Sequence, residues 1–395
     1  MVTAINRKIR IAQVITRMDW GGSPDILRIL CQNLDPQIYD ITVIVGQTRY
    51  PTSRTRSFLE VFKNRIRIIP QLKRDISLFR DIQAFIRLYI LFRKEKFDLV
   101  HTHTAKAGAL ARLAAHLAGI PVIIHTPHGH NFYGYFNTVA SWIITCIEKM
   151  LTCLTDKIMV FTELEKRDYI RYGVATEEKL ILIYQGLELE KFSPGQKDKV
   201  KLKENLGIGS EENVIGFIGR LETIKGPEYF VEAARLILKK RKNTRFILVG
   251  EGSLRNALEA RVSAWGLKDK IKFSGWREDI PEIMSVLDLL VLPSLNEAVG
   301  IVLIEAQAQG LPVVASSVGG IPEIVKSEET GILVPPKDVS GLAAAILAIL
   351  DNPDKRQAMS EKARSWARDR FKAEKMCEKI SWLYTQILRD KNVVF

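Results

Sequence analysis

Short runs of apolar residues alternate with longer amphipathic stretches along almost the whole chain. The runs are continuous in Val, Ile and Leu, which is typical of strands that are buried on both faces of a parallel sheet. The stretches between them have the spacing of helices that cover such a sheet. A first series of strands is predicted at Ile9–Ile15, Ile41–Val45, Ile66–Ile69, Leu99–His101, Val122–His125, Ile158–Phe161 and Leu180–Ile183. A second series is predicted at Val214–Ile218, Phe246–Val249, Ile271–Phe273, Leu289–Leu292, Pro312–Ala315 and Ile332–Val334.

Two series of strands require two sheets, so the pattern predicts an α/β protein with two doubly wound, Rossmann-like domains. The boundary is expected between Gly186 and Lys203, where the chain becomes polar and contains Pro194-Gly195. We predict one domain at residues 1–190, a second at 191–370 and a helical C-terminal segment at 371–395. Open α/β sheets bind ligands beyond the carboxyl ends of their strands, so two facing domains would form a central cleft lined by such loops.

The loop after the first strand of the second series carries two cations. Arg220 follows the strand almost directly, and Lys225-Gly226-Pro227 leads into a predicted helix. Two cations beside the exposed N–H groups of a helix N-terminus form a binding site for a diphosphate. Solvated loop cations are the alternative interpretation, since basic residues are common in surface loops.

Two glutamates follow the fourth strand of the second series. Glu297 is expected in the loop above the sheet, and Glu305 on the next helix, roughly 12 Å farther along at the helical rise. This separation suits one carboxylate on the hydroxyls of a sugar and the other on a ribose. Between them, the N–H groups of Gly300, Ile301 and Val302 would face a diphosphate. Solvation of Glu297 and a surface ion pair of Glu305 are the alternatives.

The two glycines of Gly250-Glu251-Gly252, after strand Phe246–Val249, could instead belong to a dinucleotide-binding fingerprint. Arg255 stands where the third glycine of that fingerprint would be, and no acidic residue ends the next strand. A glycine pair without these partners is a weak signal, and a nicotinamide cofactor is therefore not expected.

The second half combines a set of motifs: Gly219-Arg220-Leu221 with Lys225-Gly226, Val249-Gly250-Glu251-Gly252, Phe273-Ser274-Gly275, Leu292-Pro293-Ser294 with Glu297 and Glu305, and Gly310-Leu311-Pro312-Val313 with Gly319-Gly320. This combination resembles the family 4 retaining glycosyltransferases of the GT-B fold, of the kind that build bacterial cell envelopes and exopolysaccharides. The resemblance extends from about Ile9 to the end of the chain. Ala298-Val299 departs from the family pattern, because the family usually has an aromatic residue just before the glycine that corresponds to Gly300. The departure concerns the shape of the sugar pocket.

The resemblance implies roles for individual residues. By this likeness, Arg220 and Lys225 would hold the diphosphate of a nucleotide-sugar donor, Glu305 its ribose and Glu297 the transferred sugar. Gly22 would contact the donor from the first domain. The segment 371–395 would cross back and pack on the first domain, as in similar enzymes.

In the first half, Gly21-Gly22 and Pro24 follow the first strand, where they suit either a close approach to a phosphate or a plain tight turn. All six histidines of the chain lie between His101 and His130. This density of histidines could indicate a metal site, but these loops lack the carboxylates that usually complete one. The likeness instead places His128 at the donor, hydrogen bonded to the sugar or the leaving phosphate.

Charge and composition refine the interpretation. The net charge is +13, and the stretch from Arg49 to Lys96 alone has 13 Lys and Arg against 4 Asp and Glu. Within it, the helix-like run Asp75–Phe97 is both basic and rich in Ile, Leu, Phe and Tyr, which suits contact with an anionic membrane or, alternatively, packing on the sheet. No nucleic-acid-binding module accompanies these charges. The aromatic residues 132–136 suit either sugar stacking or loop packing.

The four cysteines form no CxxC pair, which favours free thiols in a reducing compartment. The chain begins without the apolar core of a signal peptide, so we expect a cytoplasmic protein, at most at the inner face of the cell membrane.

The sequence thus predicts a glycosyltransferase that uses a UDP- or GDP-sugar, needs no metal and no other cofactor, and acts on a saccharide or polyprenyl-linked acceptor in cell-surface polysaccharide synthesis. The alternatives are a sugar-nucleotide epimerase of the same fold, a transferase with a small soluble acceptor, and a non-catalytic sugar-nucleotide sensor.

Overall fold

The computed structural model describes residues 7–19, 21–129, 132, 137–192 and 199–393. The chain separates into two compact units. Unit 1 comprises Met1–Leu187 and Ala373–Phe395, and unit 2 comprises Glu188–Lys372. The segment Pro194-Gly195, at which the sequence suggests the boundary, lies outside the described residues.

In the described part of unit 1, seven strands form one parallel sheet in the order β3-β2-β1-β4-β5-β6-β7. The strands are β1 Ile9–Ile15, β2 Tyr39–Val45, β3 Ile66–Ile68, β4 Leu99–His103, β5 Val122–Thr126, β6 Lys157–Val160 and β7 Leu180–Leu182. The helices are α1 Gly22–Asn33, α2 Ser53–Val61, α3 Leu78–Glu95, α4 Ala105–Leu117, α5 Thr138–Cys153, α6 Glu163–Arg171 and, at the end of the chain, α15 Ala373–Asp390. Short 3-10 turns occupy Lys63–Arg65 and Glu177–Lys179.

The strand order of unit 1 reverses between β1 and β4. Crossovers between parallel strands are right-handed, so helices that lead away from this point in opposite directions cover opposite faces of the sheet. Helices α1 and α2 therefore cover one face, where α15 packs against α1, and α3 to α6 cover the other, where α4 packs against α3 and α5. Apolar strand residues such as Val14, Val100 and Ile123 are buried beneath α3 and α4 in one core cluster.

Unit 1 also buries an ion pair that no sequence pattern indicated. The guanidinium of Arg112 on α4 is fully buried and donates to both carboxylate oxygens of Glu148 on α5, at 2.9 Å and 2.7 Å. Arg112 also donates to the Gly108 carbonyl at 3.0 Å, so most of its hydrogen-bonding capacity is used. This pair ties α4 to α5 across the face of the sheet.

In the described part of unit 2, six strands form a second parallel sheet in the order β10-β9-β8-β11-β12-β13. The strands are β8 Asn213–Ile218, β9 Thr244–Val249, β10 Ile271–Phe273, β11 Leu289–Leu292, β12 Val313–Ser316 and β13 Gly331–Val334. The helices are α7 Lys199–Asn205, α8 Pro227–Lys240, α9 Arg255–Ala264, α10 Ile280–Val286, α11 Ile301–Gln309, α12 Ile321–Ile324, α13 Val339–Leu350 and α14 Pro353–Arg370. The 3-10 turns are Leu189–Phe192 and Thr223–Lys225. The order reverses between β8 and β11.

The prediction of two doubly wound parallel sheets is confirmed. Every predicted strand is present, although several differ by one or two residues at their ends, where apolar runs fade into turns. The first helix begins at Gly22 rather than at Pro24, with Gly21 before it at φ 146°, a backbone angle that favours glycine.

The buried pair Arg112–Glu148 makes a stability prediction. Replacing Glu148 by Leu leaves the Arg112 guanidinium buried without its counterion, which should cost about 3–5 kcal/mol of unfolding free energy. Glu177→Leu removes the partner of Lys166 in an exposed pair and serves as the matched control, with little change expected. Urea unfolding of both variants measures the difference, and equal stability of the two variants would refute a structural role for the buried pair.

Candidate active site

Two loops meet at the point where the strand order of unit 2 reverses. The loop after β8 approaches the loop after β11 so closely that a Cβ on Gly226 would lie 2.1 Å from the Pro293 carbonyl oxygen. The backbone N–H of Leu295 donates to the Ile224 carbonyl at 2.9 Å, which fixes the contact. Gly226 has φ 64°, so the absence of a side chain serves both the left-handed backbone and the close approach. Reversal points of this kind are where open α/β sheets bind ligands.

The side chains at this junction form an ion pair. Lys225 Nζ, from the loop after β8, contacts Glu297 Oε2, from the loop after β11. Ser294 Oγ donates to the same carboxylate oxygen at 3.3 Å. Both partners of the pair keep some exposure, 21% for the Lys225 side chain and 13% for that of Glu297, so a ligand can reach them. The structure therefore brings two of the predicted site residues into direct contact.

A third loop holds the backbone of Glu297. The N–H of Gly320, in the loop after β12, donates to the Glu297 carbonyl at 3.0 Å. A Cβ on Gly319 would lie 1.8 Å from that carbonyl oxygen, so this approach needs glycine. Loops after β8, β11 and β12 thus converge on one residue, and the position of the Glu297 carboxylate is set by three strand ends.

Helix α11 begins directly after this junction. Gly300 caps it with φ 81°, and the first N–H groups of a helix, here those of Ile301 and Val302, have no acceptor within the helix. Both residues are partly exposed. Glu305 lies one turn farther along α11 and is also partly exposed. The helix N-terminus therefore offers donors and a partial positive charge beside Glu297, since a Cβ on Gly300 would lie 3.5 Å from Glu297 Cγ.

Arg220 is exposed on the same strand-end loop as Lys225. Its backbone neighbour Leu221 donates to the Glu251 carbonyl at 3.0 Å, which fixes the loop, while the guanidinium faces solvent. Beside it, hydrogen bonds from the hydroxyl and N–H of Ser253 lower the pKa of Glu222, and Arg220 contributes to the same shift. Three cationic or N–H donor groups, Arg220, Lys225 and the start of α11, are thus carried by the strand-end loops on either side of one reversal point.

The glycines Gly250 and Gly252 have a packing role. Cβ atoms at these positions would lie 2.0 Å from the Gly219 carbonyl oxygen and 2.3 Å from the Leu221 carbonyl oxygen. They allow the loop after β9 to press against the loop that carries Arg220. This packing accounts for both glycines without a dinucleotide.

In unit 1, the backbone at His128 is unusual. His128 follows β5 and has φ 58°, a left-handed conformation that is uncommon for residues other than glycine. The N–H of the next residue, Gly129, donates to Glu165 Oε1 at 3.1 Å, and Phe161 N–H donates to Glu165 Oε2 at 3.0 Å. The buried Glu165 carboxylate therefore holds this corner in place. Such strain is often found at functional sites.

Of the four histidines at these strand ends, His101, His103 and His125 are buried and His128 is half-buried. Burial, together with neighbouring histidines, lowers the pKa of His101 and His103 below its ordinary value. Burial lowers the pKa of His125 in the same way, and the Arg112 charge adds to the shift. Burial also lowers the pKa of His128, which is half-buried. In the described part of the chain, no group of three or more His, Cys, Asp or Glu is arranged to hold a metal ion. His116, by contrast, lies exposed in the last turn of α4.

The remaining candidates of unit 1 have different positions. Gly22 is the first residue of α1 and is partly exposed after the β1 strand end. Phe132 is buried and packs edge-to-face against Tyr169, with ring centroids 5.0 Å apart, so it is a core residue. The other members of the aromatic run, residues 133–136, and His130 lie outside the described residues.

Two family models match the chain. The model described as Glycosyltransferase Family 4 matches residues 20–191, and the model described as Glycosyl transferases group 1 matches residues 198–366. The matches together extend over most of the sequence.

Individual proteins are similar over nearly the full length. The UDP-Gal:alpha-D-GlcNAc-diphosphoundecaprenol alpha-1,3-galactosyltransferase of Escherichia coli is 35% identical over 97% of this chain and 98% of its own. The capsular polysaccharide biosynthesis glycosyltransferase CapM of Staphylococcus aureus is 26% identical over 84% and 88% of the two chains. Anabaena HepE, solved in complex with UDP and glucose, has a TM-score of 0.81 at 21% identity over 95% of this chain and 99% of that chain, which shows a shared fold.

The buried histidines make stability depend on pH. A histidine whose pKa is depressed in the folded state stabilises the fold above its unfolded pKa, and this contribution is lost as the pH falls below that value. When the pH falls from about 7.5 to about 5.5, His101, His103 and His125 should each remove about 1.4 kcal/mol from the free energy of unfolding, or about 4 kcal/mol together. Calorimetry of the unfolding of unit 1 across this range measures the loss.

The exposed His116 provides the control for this prediction. The variant His116→Gln should have the same pH dependence as the parent protein. A melting temperature of unit 1 that stays constant from the higher to the lower pH would show that these rings are not neutral and buried.

Proposed function

We propose that this chain, which belongs to glycosyltransferase family 4, transfers a sugar, with retention of configuration, from a UDP-sugar to a lipid-linked saccharide. The observation that carries the proposal is the junction of Lys225, Glu297 and the start of α11 at the reversal point of the second sheet. Nucleotide-sugar transfer needs cations and N–H donors for a diphosphate beside a carboxylate for the sugar, and this junction has each of them.

In the proposed reaction, the bond between the anomeric carbon and the diphosphate oxygen breaks, and a bond from that carbon to an acceptor hydroxyl oxygen forms. Negative charge develops on the leaving diphosphate, where Arg220, Lys225 and the N–H groups of Ile301 and Val302 would stabilise it. The proton of the acceptor hydroxyl would pass to an oxygen of the departing diphosphate on the same face of the sugar. No metal is required for this charge balance.

The carboxylates have separate roles in the proposal. Glu297 would accept hydrogen bonds from hydroxyls of the transferred sugar, exchanging part of its contact with Lys225 for contacts with the donor. Glu305, one turn farther along α11, would bind the ribose, and Gly300 would let the chain turn close to the diphosphate. Gly22 and His128 would contribute from unit 1, Gly22 through its backbone and His128 through its ring.

The proposed donor and acceptor follow from the relatives. The E. coli relative is named for UDP-Gal and a diphosphoundecaprenol-linked saccharide, and the Anabaena structure contains UDP. A UDP-sugar is therefore the preferred donor over a GDP-sugar, and a polyprenyl-diphosphate-linked saccharide the preferred acceptor over a small soluble one. Synthesis of a cell-surface polysaccharide is the process in which such an acceptor is used.

Helix α3 supports contact with a membrane that would carry this acceptor. Its residues Ala84, Leu88 and Phe92 are buried in the core of unit 1. Yet Ile82, Ile86 and Ile90, on the opposite side of the helix, are exposed. A helix in solution normally has a single apolar face, so a second one indicates another partner. With Phe79, which is 73% exposed, these isoleucines form a stripe one turn apart along the helix.

Helix α5 has a similar stripe on the same face of the sheet. Its exposed apolar residues recur at helical spacing: Val139, Trp142, Ile143, Ile147 and Met150. Trp142, the aromatic residue of this stripe, is 67% exposed. A tryptophan beside aliphatic side chains suits the interface of a bilayer, where its ring sits at the level of the headgroups.

The charges on α3 favour an anionic surface. Its two acids are neutralised, since Asp81 pairs with Lys106 and Glu95 pairs with Arg67. Its bases Arg80, Arg87, Arg93 and Lys94 then leave the helix strongly positive. Among the described residues, no helix is long and apolar enough to cross a bilayer. We therefore propose peripheral binding to the anionic inner face of the cell membrane through α3 and α5, which would place the protein in the cytoplasm.

Donor binding should raise the melting temperature of unit 2. A nucleotide of the class that binds should add roughly 2.7 kcal/mol to the free energy of unfolding when it is present at about 100 times its dissociation constant, without added metal. UDP and UDP-sugars are expected to give this shift and GDP, ADP and dTDP compounds a smaller one. Arg220→Ala should abolish most of it, because a diphosphate contact is lost.

The control for donor binding is Arg241→Ala. Arg241 follows the far end of α8 and contacts Asp351, away from the strand-end loops. It should keep the full ligand shift. Equal losses in both variants, or no shift with any nucleotide, would contradict the proposed donor site.

Membrane contact is tested by sedimentation with vesicles. The protein should bind phosphatidylglycerol vesicles several-fold better than phosphatidylcholine vesicles, and less so at high salt. Trp142→Ser should reduce binding, since it removes an interfacial ring. Trp382→Ser is the matched control, because Trp382 is 59% exposed on α15, which packs against α1 on the opposite face of the sheet. Equal effects of the two substitutions, or no vesicle binding, would contradict the proposed surface.

A further inference from the structure

A chain of hydrogen bonds runs through the interior of unit 1 and ends at His128. His128 Nε2 lies 2.9 Å from His103 Nδ1, and His103 Nε2 lies 2.8 Å from Gln13 Oε1. Gln13 Nε2 donates to the Tyr384 hydroxyl at 3.0 Å. Tyr384 Oη lies 2.5 Å from His101 Nδ1. The chain thus joins β1, β4, the β5 strand end and α15, over residues far apart in sequence.

The members of this chain beyond His128 are buried and uncharged. Gln13, His101, His103 and Tyr384 are all inaccessible to solvent. Burial raises the pKa of the Tyr384 hydroxyl well above its ordinary value, so the phenol keeps its proton. Burial lowers the pKa of the histidines, so each ring is neutral. A neutral imidazole has one N–H donor and one acceptor nitrogen, and each contact therefore has a defined direction.

The direction of each hydrogen bond in the chain can be followed from the amide of Gln13. With the Gln13 amide oxygen facing His103, as it lies in the structure, His103 carries its proton on Nε2 and presents Nδ1 as an acceptor. The contact with His128 then requires that His128 Nε2 carries the proton and donates it. On the other side, the Tyr384 oxygen accepts from the Gln13 amide, and its O–H donates to His101 Nδ1. His101 Nε2 in turn donates to Thr126 Oγ1, which lies 2.7 Å away.

The consequence concerns the other nitrogen of His128. With the proton on Nε2 committed to His103, Nδ1 keeps its lone pair and can accept a hydrogen bond. The ring is held at the same time by its left-handed backbone and by the Glu165 anchor at Gly129. A half-buried ring fixed in one tautomer is preorganised to accept from a hydroxyl of a bound sugar, whereas the opposite tautomer would present an N–H donor there.

We propose that Gln13 and His103 are positioning residues that hold His128 as its Nε2–H tautomer, so that Nδ1 accepts a hydrogen bond from a hydroxyl of the transferred sugar. This inference rests on the proposed function for the identity of the ligand. The tautomer itself depends only on the interior of unit 1. Tyr384 completes the chain from α15, because its hydroxyl is the acceptor that orients the Gln13 amide.

The tautomer is measured without any donor by nitrogen-15 NMR of histidine-labelled protein, in which protonated and bare ring nitrogens have distinct shifts. His128→Asn identifies the His128 signals by their loss. We expect a protonated Nε2 and a bare Nδ1 for His128 in the intact protein. A protonated Nδ1 would overturn the proposal directly, whatever reaction the protein catalyses.

The variant His103→Leu removes the acceptor for His128. It should give a mixture of both His128 tautomers and reduce kcat/KM for transfer from a UDP-sugar by roughly tenfold, the size of one hydrogen bond. His125→Leu is the matched control, because His125 is an equally buried histidine whose ring contacts Thr102 Oγ1 at 2.8 Å and no member of this chain. It should leave the His128 tautomer unchanged.

The two readouts separate the proposals. A single His128 tautomer in His103→Leu would show that His103 does not position the ring. Equal disturbance of the His128 tautomer by His103→Leu and by the control variant would show the same. The expected tautomers in a protein that transfers no sugar would leave the positioning intact and contradict the proposed function instead. If His103→Leu does not fold, the tautomer of the intact protein still decides the proposal.

Discussion

The arrangement of unit 2 depends on how closely three strand-end loops approach one another around Glu297. The contacts of Gly226 with Pro293 and of Gly319 with Glu297 leave no space for a side chain. These approaches bring Lys225 to the Glu297 carboxylate and set both beside the first turn of α11. Because backbone packing holds the loops, the charges are in place before a ligand arrives, which is the condition for electrostatic stabilisation of a leaving diphosphate.

Unit 1 uses the same point of its sheet in a different way. Its strand order reverses between β1 and β4, where Gln13 of β1 and His103 of β4 form a neutral, buried hydrogen bond rather than an ion pair. Uncharged groups in a low-dielectric interior can keep one hydrogen-bond pattern only if every donor finds an acceptor. The reversal point of unit 2 thus carries charged side chains, and that of unit 1 carries neutral ones.

The fold was predictable because its strands are continuous apolar runs, which distinguish them from the amphipathic helices between them. The predictions for the loop after β8 and for the cap Gly300 came from local patterns, namely cations before a Pro-initiated helix and a glycine before an apolar one. The pair Arg112–Glu148 and the chain from Gln13 to Tyr384 were not predictable, because they join residues of distant elements. Their only local signal is a polar residue inside an apolar run, as at Gln13 in β1 or Glu148 in α5.

We propose that this glycosyltransferase passes the sugar of a UDP-sugar to a lipid-linked saccharide. Incubation of the protein with UDP-[¹⁴C]galactose and a diphosphoundecaprenol-linked N-acetylglucosamine, without metal, tests it most directly. We expect label in the lipid fraction, released as a disaccharide with an α linkage. Label that remains in the nucleotide as a different sugar, with the lipid unchanged, would contradict the proposed transfer and identify an epimerase.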